Sequence, residues 1–136
     1  MPFIHFPSVT LLAAGLLGLI LIALSARVVM ARTSGNVLLG DGREPTGSLF
    51  VAIRSQANFA EYVPLAVVLI GLLEMRSGPT LLIKILAAIL VLARVAHPVG
   101  MGILTANPYR AAGFVGTMVV IAIASVAAIV GVLGTG

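Results

Sequence analysis

Four long apolar stretches, separated by polar connections, dominate the hydropathy pattern of this chain. They cover residues 7–31, 47–74, 79–103 and 109–134. Each exceeds the roughly 20 residues that an α-helix needs to cross a bilayer. The strands of a membrane β-barrel would alternate polar and apolar residues, and these stretches do not alternate. The pattern therefore predicts an all-α protein, an integral membrane four-helix bundle that forms a single domain over residues 1–136.

The connections and two internal prolines refine this picture. Residues 33–46 form a long polar connection, 76–79 a tight turn with Gly and Pro, and 105–108 a short break. Such residues are typical of helix ends and turns. Pro64 and Pro98 lie inside the second and third stretches, where each removes a backbone donor. We therefore expect a kink in both of these helices.

The first apolar stretch could be mistaken for a secretory signal, because Ala23-Leu-Ser-Ala26 resembles a cleavage site. A signal peptide, however, begins with positive charge and has a short apolar core. Residues 1–26 contain no Lys or Arg, and the apolar run is long. We therefore interpret this stretch as a retained first transmembrane helix.

Composition narrows the class of protein. The chain of 136 residues is 60% hydrophobic and 9% charged, whereas an ordinary soluble domain has roughly 25% charged residues. Without cysteine it can hold neither a disulfide nor a thiolate metal site, and the two histidines lie far apart in the sequence. We therefore expect no bound metal. Eight Lys and Arg residues are spread along the chain rather than clustered, so we also expect no nucleic-acid partner.

The distribution of basic residues predicts the orientation in the membrane. Cytoplasmic loops carry an excess of Lys and Arg. By this rule the first and third connections lie in the cytoplasm and both termini outside. A short, cysteine-free chain of this kind looks bacterial, so we expect a multi-pass protein of the inner membrane. The basic residues are Arg27, Arg32, Arg43 and Arg110 beside those two connections, against Arg76 and Lys84 beside the second.

The strongest chemical signal is a polar cluster on the second apolar stretch. Arg54, Asn58 and Glu61 are spaced by four and three residues, which places them on one face of a helix, and Tyr62 falls beside them. A carboxylate near the bilayer centre costs on the order of 2.5–3.5 kcal/mol. Such a group is retained only when something pairs with it, so Glu61 marks a candidate functional site.

Further polar residues are predicted to reach the same end of the bundle. Arg94 and His97 lie in the later half of the third stretch, whereas Arg27 closes the first and Arg110 opens the fourth. With the residues of the second stretch, they predict a cationic pocket with one acid. Arginine binds carboxylates through two parallel donors, and a carboxylate can receive an ammonium. The pocket therefore suits a ligand with several carboxylates and at least one amine.

Structural roles would also account for this cluster. Glu61 could pair with Arg54 or Arg94 to hold helices together, and Asn58 could bond between helices. His97 could bond a backbone carbonyl, and arginines at helix ends could anchor in the headgroups. Small residues of the last stretch fit either close packing within one bundle or a subunit interface.

At these residues the chain resembles the MAPEG family, the membrane-associated proteins of eicosanoid and glutathione metabolism. The resemblance covers about residues 20–112. The segment Arg54-Ser-Gln-Ala-Asn-Phe-Ala-Glu-Tyr-Val-Pro64 is similar to the second-helix motif of the leukotriene-forming synthase. Arg94-Val-Ala-His97 resembles the third-helix motif of the glutathione-dependent prostaglandin E synthase, and Gly40-Asp-Gly42 resembles bacterial members.

The resemblance implies a homotrimer that binds glutathione between neighbouring subunits near the cytoplasmic side. Arg110 follows His97 by thirteen residues, a spacing similar to that of the family arginine proposed to stabilise the glutathione thiolate. It is therefore the predicted catalytic residue. The other positions that match the family's polar positions are predicted to bind glutathione: Arg27, Arg54, Gln56, Asn58, Glu61, Tyr62, Arg94 and His97.

The implied function is that of a glutathione transferase or peroxidase acting on lipophilic electrophiles or hydroperoxides that arrive from the membrane lipid. Met101 stands where the family often has tyrosine, and Ala57 replaces an arginine of the prostaglandin-forming branch. Whether the protein is an enzyme therefore stays open. A non-catalytic membrane binding or assembly protein is the alternative. A small proton-coupled exporter is a third possibility, but its essential acid is expected in the first span, which has none.

Overall fold

The computed structural model describes residues 4–41, 47–103 and 105–134. All four of its helices are long and apolar enough to cross a membrane. The part of the chain that is described contains no strand. The prediction of an all-α, four-helix integral membrane protein is thus confirmed. The helices are α1 (Ser8–Gly35), α2 (Ser48–Ser77), α3 (Leu81–Met101) and α4 (Pro108–Leu133).

The first two helices extend beyond the apolar stretches that predict them. Helix α1 continues to Gly35 rather than residue 31 and ends at Asn36, which has a left-handed φ of 52°. Helix α2 continues to Ser77 rather than residue 74 and ends at Gly78, where φ is 74°. Backbone hydrogen bonding continues past the last apolar residue, so hydropathy places these ends too early. The predicted connection over 33–46 includes Gly42 and Arg43, which lie outside the described residues.

The two prolines lie inside helices, as the sequence indicates. Pro64 is within α2 and Pro98 is within α3, and each helix continues past its proline. The kinks expected at these positions stay predictions.

The core of the bundle runs along the centre of the four helices. Its residues are three, four or seven positions apart on each helix, which is the spacing of one helical face. A second, smaller buried cluster consists of Val28 from α1 and of Leu49 and Ala52 from α2. Many of the other apolar side chains are exposed, as expected for helices that face lipid. The core consists of Leu17 and Leu24 from α1, Phe59, Val63, Ala66 and Ile70 from α2, Ile83, Leu86 and Leu90 from α3, and Val120 and Ala124 from α4.

Glu74, the last residue of the predicted stretch 47–74, is a second carboxylate within α2 and is not part of the predicted polar cluster. Its side chain is fully buried. One carboxylate oxygen accepts the backbone N–H of Val9 at 2.9 Å. The other accepts the backbone N–H of Thr10 at 2.8 Å and its hydroxyl at 2.7 Å. These are the unpaired donors of the first turn of α1, which Pro7 does not cap with a side chain. Glu74 therefore caps α1 from a neighbouring helix.

Candidate functional site

A cavity of about 750 Å³ lies at the end of the bundle where α3 connects to α4. Helices α2, α3 and α4 and this connection all contribute to its walls. The structure thus brings together residues that are far apart in the sequence, as the charge pattern predicts. Six of the predicted site residues line the cavity: Arg54, Asn58, Glu61, Tyr62, His97 and Arg110.

The residues of α2 line the cavity from a single helical face. Arg54 and Glu61 are both exposed within the single chain. Among the described residues, Glu61 has neither a hydrogen bond nor an ion pair. A pairing of Glu61 with Arg54 or Arg94 that holds the helices together is therefore not seen within the chain. The carboxylate is available to a ligand or to a neighbouring molecule.

Arg94 lies behind the cavity wall rather than in it. The side chain is only 1% exposed. One terminal nitrogen donates to Oδ1 of Asn58 at 2.9 Å, and the other donates to the backbone carbonyl of Gly113 at 2.7 Å. Arg94 therefore joins α3 to both α2 and α4 directly beneath the site.

Helices α3 and α4 approach closely at His97, because Gly113 has no side chain. A Cβ atom at Gly113 would lie 2.6 Å from the Cβ of His97 and 2.8 Å from the carbonyl oxygen of Ala93. His97 is itself 4% exposed and forms part of the cavity wall. Gly113 therefore serves close packing within one chain, which is one of the two roles that the small residues of α4 suggest.

Asn107 positions the first turn of α4 and with it Arg110. Its Oδ1 accepts the backbone N–H of Arg110 at 3.0 Å, so Asn107 is the N-cap residue of this helix. Its amide nitrogen donates to the carbonyl of Gly100 at 2.9 Å. Sequence reasoning missed this role. The Asn-Pro pair before an apolar run is a recognisable signal, since Asn is favoured at the N-cap and Pro at the first helical position.

Apolar side chains cover the other part of the cavity, and apart from Met101 they too were missed. The ring of Phe114 meets the ring of Tyr62 edge to face, with centroids 6.1 Å apart and an interplanar angle of 82°. Phe114 follows Arg110 by four residues, which is the spacing of neighbours on one helical face. Phe50, Met101 and Ile103 also line the cavity.

Two further predicted site residues, besides Arg94, do not line this cavity. Gln56 donates to the hydroxyl of Ser25 at 2.9 Å and so joins α2 to α1. Arg27 is exposed on α1 and is absent from the cavity lining. Contact of either residue with glutathione stays a prediction.

The charged side chains of the cavity can bind anionic groups at two arginines and a cationic group at one carboxylate. Arg54 and Arg110 present guanidinium groups, and Glu61 presents a carboxylate. The described residues contain no group of three or more His, Asp or Glu side chains that could hold a metal ion. The arrangement suits a zwitterionic ligand with more negative than positive charge.

Four transmembrane helices with a charged cavity at one end of the bundle define a small multi-pass membrane protein with a polar ligand site. A profile of the MAPEG family matches residues 10–130, and the chain belongs to this family. It is 36% identical over 92 residues to "Inner membrane protein YecN" of Escherichia coli strain K12, covering 68% of this chain and 69% of YecN. YecN of Escherichia coli O6:H1 strain CFT073 shows the same identity and coverage. No solved structure matches the chain significantly.

These findings confirm the predicted family and the prediction of a multi-pass protein of the bacterial inner membrane. They place the protein, at a coarse level, in a membrane family of glutathione-related transferases and peroxidases. The homotrimer and the orientation of the cavity toward the cytoplasm stay predictions.

Proposed function

We propose that this protein is a glutathione-dependent membrane transferase or peroxidase that acts on lipophilic electrophiles or hydroperoxides. The observation that carries the proposal is the convergence of Arg54, Glu61 and Arg110 on one cavity. Membership of the MAPEG family supports it at the level of the class.

The cavity suits glutathione in size and in charge. Its volume of about 750 Å³ lies within the range of roughly 300–1,000 Å³ that is common for small-ligand sites. Glutathione carries two carboxylates and one ammonium, so it needs more cationic than anionic partners. Arg54 and Arg110 supply the cationic partners, and Glu61 supplies the anionic partner.

Each residue of the cavity then has a defined task. Arg54 binds a carboxylate, for which its planar fork of donors is suited. Glu61 receives the ammonium, a pairing that would also compensate its own charge inside the membrane. Glutathione supplies a thiol whose anionic form is the nucleophile. Arg110 favours that anion by its positive charge.

The apolar part of the cavity would take the second substrate. Phe50, Ile103 and Phe114 offer an apolar surface against which a lipophilic electrophile could pack. The protein contributes orientation and charge stabilisation and needs no covalent nucleophile of its own. Its partners are thus membrane lipid, glutathione and a lipophilic substrate.

A homotrimer is part of the proposal. Arg27 and Gln56 lie outside the cavity of their own chain. They would reach glutathione only if the site lies between subunits, as the family resemblance implies. Glu61, which is exposed and has no partner among the described residues, would then also face a neighbouring subunit.

Thermal unfolding of the detergent-purified protein during a titration with glutathione tests the binding step. A ligand that binds the folded state stabilises it by RT ln(1 + [L]/Kd), which is about 2.7 kcal/mol at a hundredfold excess over Kd. We expect a saturable rise in Tm that Arg54→Ala abolishes. Lys84→Ala is the matched control, because Lys84 is exposed and absent from the cavity lining. No rise at millimolar glutathione would refute the proposal.

Turnover with an electrophilic dye tests the catalytic step. We expect Arg110→Ala to abolish conjugation while glutathione still raises Tm. S-methylglutathione, which has no free thiol, should bind without turnover. Undiminished turnover by Arg110→Ala would remove this residue from the mechanism.

A non-catalytic binding protein is the second candidate, and Met101 favours it. Met101 lines the cavity, where a tyrosine of related proteins would offer a hydroxyl. This function predicts that the wild-type protein turns over no dye or hydroperoxide, that glutathione leaves Tm unchanged, and that Glu61→Gln disrupts assembly.

A further inference from the structure

Arg94 is the largest fully buried side chain in the described part of the protein. No carboxylate pairs with it there, and its Nε is buried without a hydrogen-bond partner. A buried charge held only by neutral dipoles is costly in a membrane. Helix packing alone could be achieved with an apolar residue at lower cost. An arginine at this position is therefore best explained by a role that requires its guanidinium group.

The hydrogen bonds of Arg94 point to that task. One terminal nitrogen donates to Oδ1 of Asn58, which lies on the cavity wall. The other donates to the carbonyl of Gly113, three residues after Arg110 on α4. Arg94 thus bonds to α2 and α4, the two helices that carry the charged residues of the cavity, although it does not line the cavity itself.

The bond to Asn58 determines which part of the amide faces a ligand. A side-chain amide has one acceptor oxygen and two N–H donors. Arg94 can only donate, so the oxygen of Asn58 must turn toward it. The opposite orientation would set N–H groups of Asn58 against N–H groups of Arg94. The amide nitrogen of Asn58 has no partner among the described residues and is free to donate into the cavity.

We infer that Arg94 is a positioning residue, which holds Asn58 so that its amide nitrogen donates to the ligand. This inference rests on the proposed function for the identity of the ligand. The cavity then presents donors from Arg54, Asn58 and Arg110 and one carboxylate, that of Glu61. The amide nitrogen of Asn58 therefore favours a carboxylate or carbonyl oxygen of the ligand and disfavours an N–H or O–H group of the ligand at the same place.

A double-mutant cycle on the Kd of glutathione separates this role from a general structural one. We expect Arg94→Met to weaken binding about 10- to 100-fold, the range for a lost hydrogen bond to a charged group. In an Asn58→Leu background the same change should alter Kd by less than about twofold, because Arg94 then has nothing to position. Equal losses in both backgrounds would show that Arg94 acts on the fold as a whole and would overturn the inference.

Two further variants keep the test decisive if Arg94→Met folds poorly. Arg94→Lys retains a cation that can donate to Asn58, and we expect it to recover most of the affinity lost in Arg94→Met. Asn58→Asp retains an acceptor for Arg94 but has no N–H to offer. It should therefore unfold at or above the wild-type Tm while binding glutathione at least about 10-fold more weakly. Wild-type affinity in Asn58→Asp would overturn the inference.

Nuclear magnetic resonance of the side-chain amides tests the arrangement without any ligand. The chain has three asparagines and one glutamine, so only four pairs of ¹⁵N-bound amide protons occur. We expect Arg94→Met to shift the Asn58 pair and to leave the pairs of Asn36 and Gln56 in place, with partial return in Arg94→Lys. An unmoved Asn58 pair would refute the inference. If wild-type protein does not bind glutathione, the proposed function fails, and this spectrum still decides the role of Arg94.

Discussion

Glu74 joins the last turn of α2 to the first turn of α1, and its removal has a calculable cost. The carboxylate accepts three hydrogen bonds, from the backbone N–H of Val9 and from the N–H and hydroxyl of Thr10. Glutamine at this position keeps one acceptor oxygen, but its NH₂ group would face a donor. The variant Glu74→Gln therefore loses at least one charge-assisted bond and leaves a buried N–H unpaired.

A hydrogen bond to a charged group contributes about 1.5–3 kcal/mol, and an unsatisfied buried donor costs about 1–3 kcal/mol. Glu74 lies three residues before the end of α2, and because helix ends fray, local rearrangement there relieves part of the loss, so the lower part of these ranges applies. We expect Glu74→Gln to lower the free energy of unfolding by about 2–4 kcal/mol. The loss should be accompanied by fraying of the first turn of α1.

Reversible unfolding in mixed detergent micelles measures the free energy, and amide hydrogen exchange over residues 8–12 locates the change. Thr10→Val removes only the hydroxyl and should cost about 1–2 kcal/mol, whereas Thr10→Ser keeps the hydroxyl and serves as the matched control. A free energy of unfolding for Glu74→Gln within about 0.5 kcal/mol of wild type, the usual scatter of neutral substitutions, would refute the argument that Glu74 caps α1.

Three further predictions concern the α3–α4 side of the cavity. Gly113→Ala should lower the free energy of unfolding by about 1–3 kcal/mol, because the added Cβ would meet His97 at 2.6 Å; unchanged denaturant unfolding would contradict this close packing. Asn107→Ala should cost about 1 kcal/mol and increase hydrogen exchange at Arg110, while Asn107→Asp retains the cap; equal exchange in both variants would speak against the N-cap role. Phe114→Ala should release the ring of Tyr62, at a cost of about 0.5–1.5 kcal/mol beyond the lost apolar area. Fast ring flipping of Tyr62 by nuclear magnetic resonance is the expected result, and an unaltered Tyr62 spectrum would count against the contact.

Hydropathy and helical periodicity predicted the parts of the site that lie on one helix. The spacing of Arg54, Asn58 and Glu61 places them on one face of α2, and all three line the same cavity. The approach of His97 and Arg110 followed from connectivity, because α3 and α4 are joined at that end. Gln56 shares the motif of α2 but faces α1 instead, through its bond to Ser25.

The helix ends were predicted less well, and for this reason the role of Glu74 was missed. An apolar stretch ends where the side chains become polar, but a helix ends where its backbone hydrogen bonds stop. Helix α2 therefore continues for three residues past Glu74, and the side chain of this acid is buried rather than exposed at a helix end. Asn107 and Phe114 were missed because a cap and an aromatic contact each need a partner that is defined only by the packed structure.

By itself, the sequence determined the number and location of the helices, the membrane environment and the polar face of α2. These properties depend on side-chain polarity and on the repeat of a single helix, which are both local. Only the tertiary structure decided that Arg94 bonds Asn58, 36 residues away, and that Glu74 caps α1 by accepting the N–H of Val9, 65 residues before it. Such pairs depend on the rotation and depth of one helix against another. Packing of the whole bundle sets those quantities, because lipid offers no alternative partner for a buried charge.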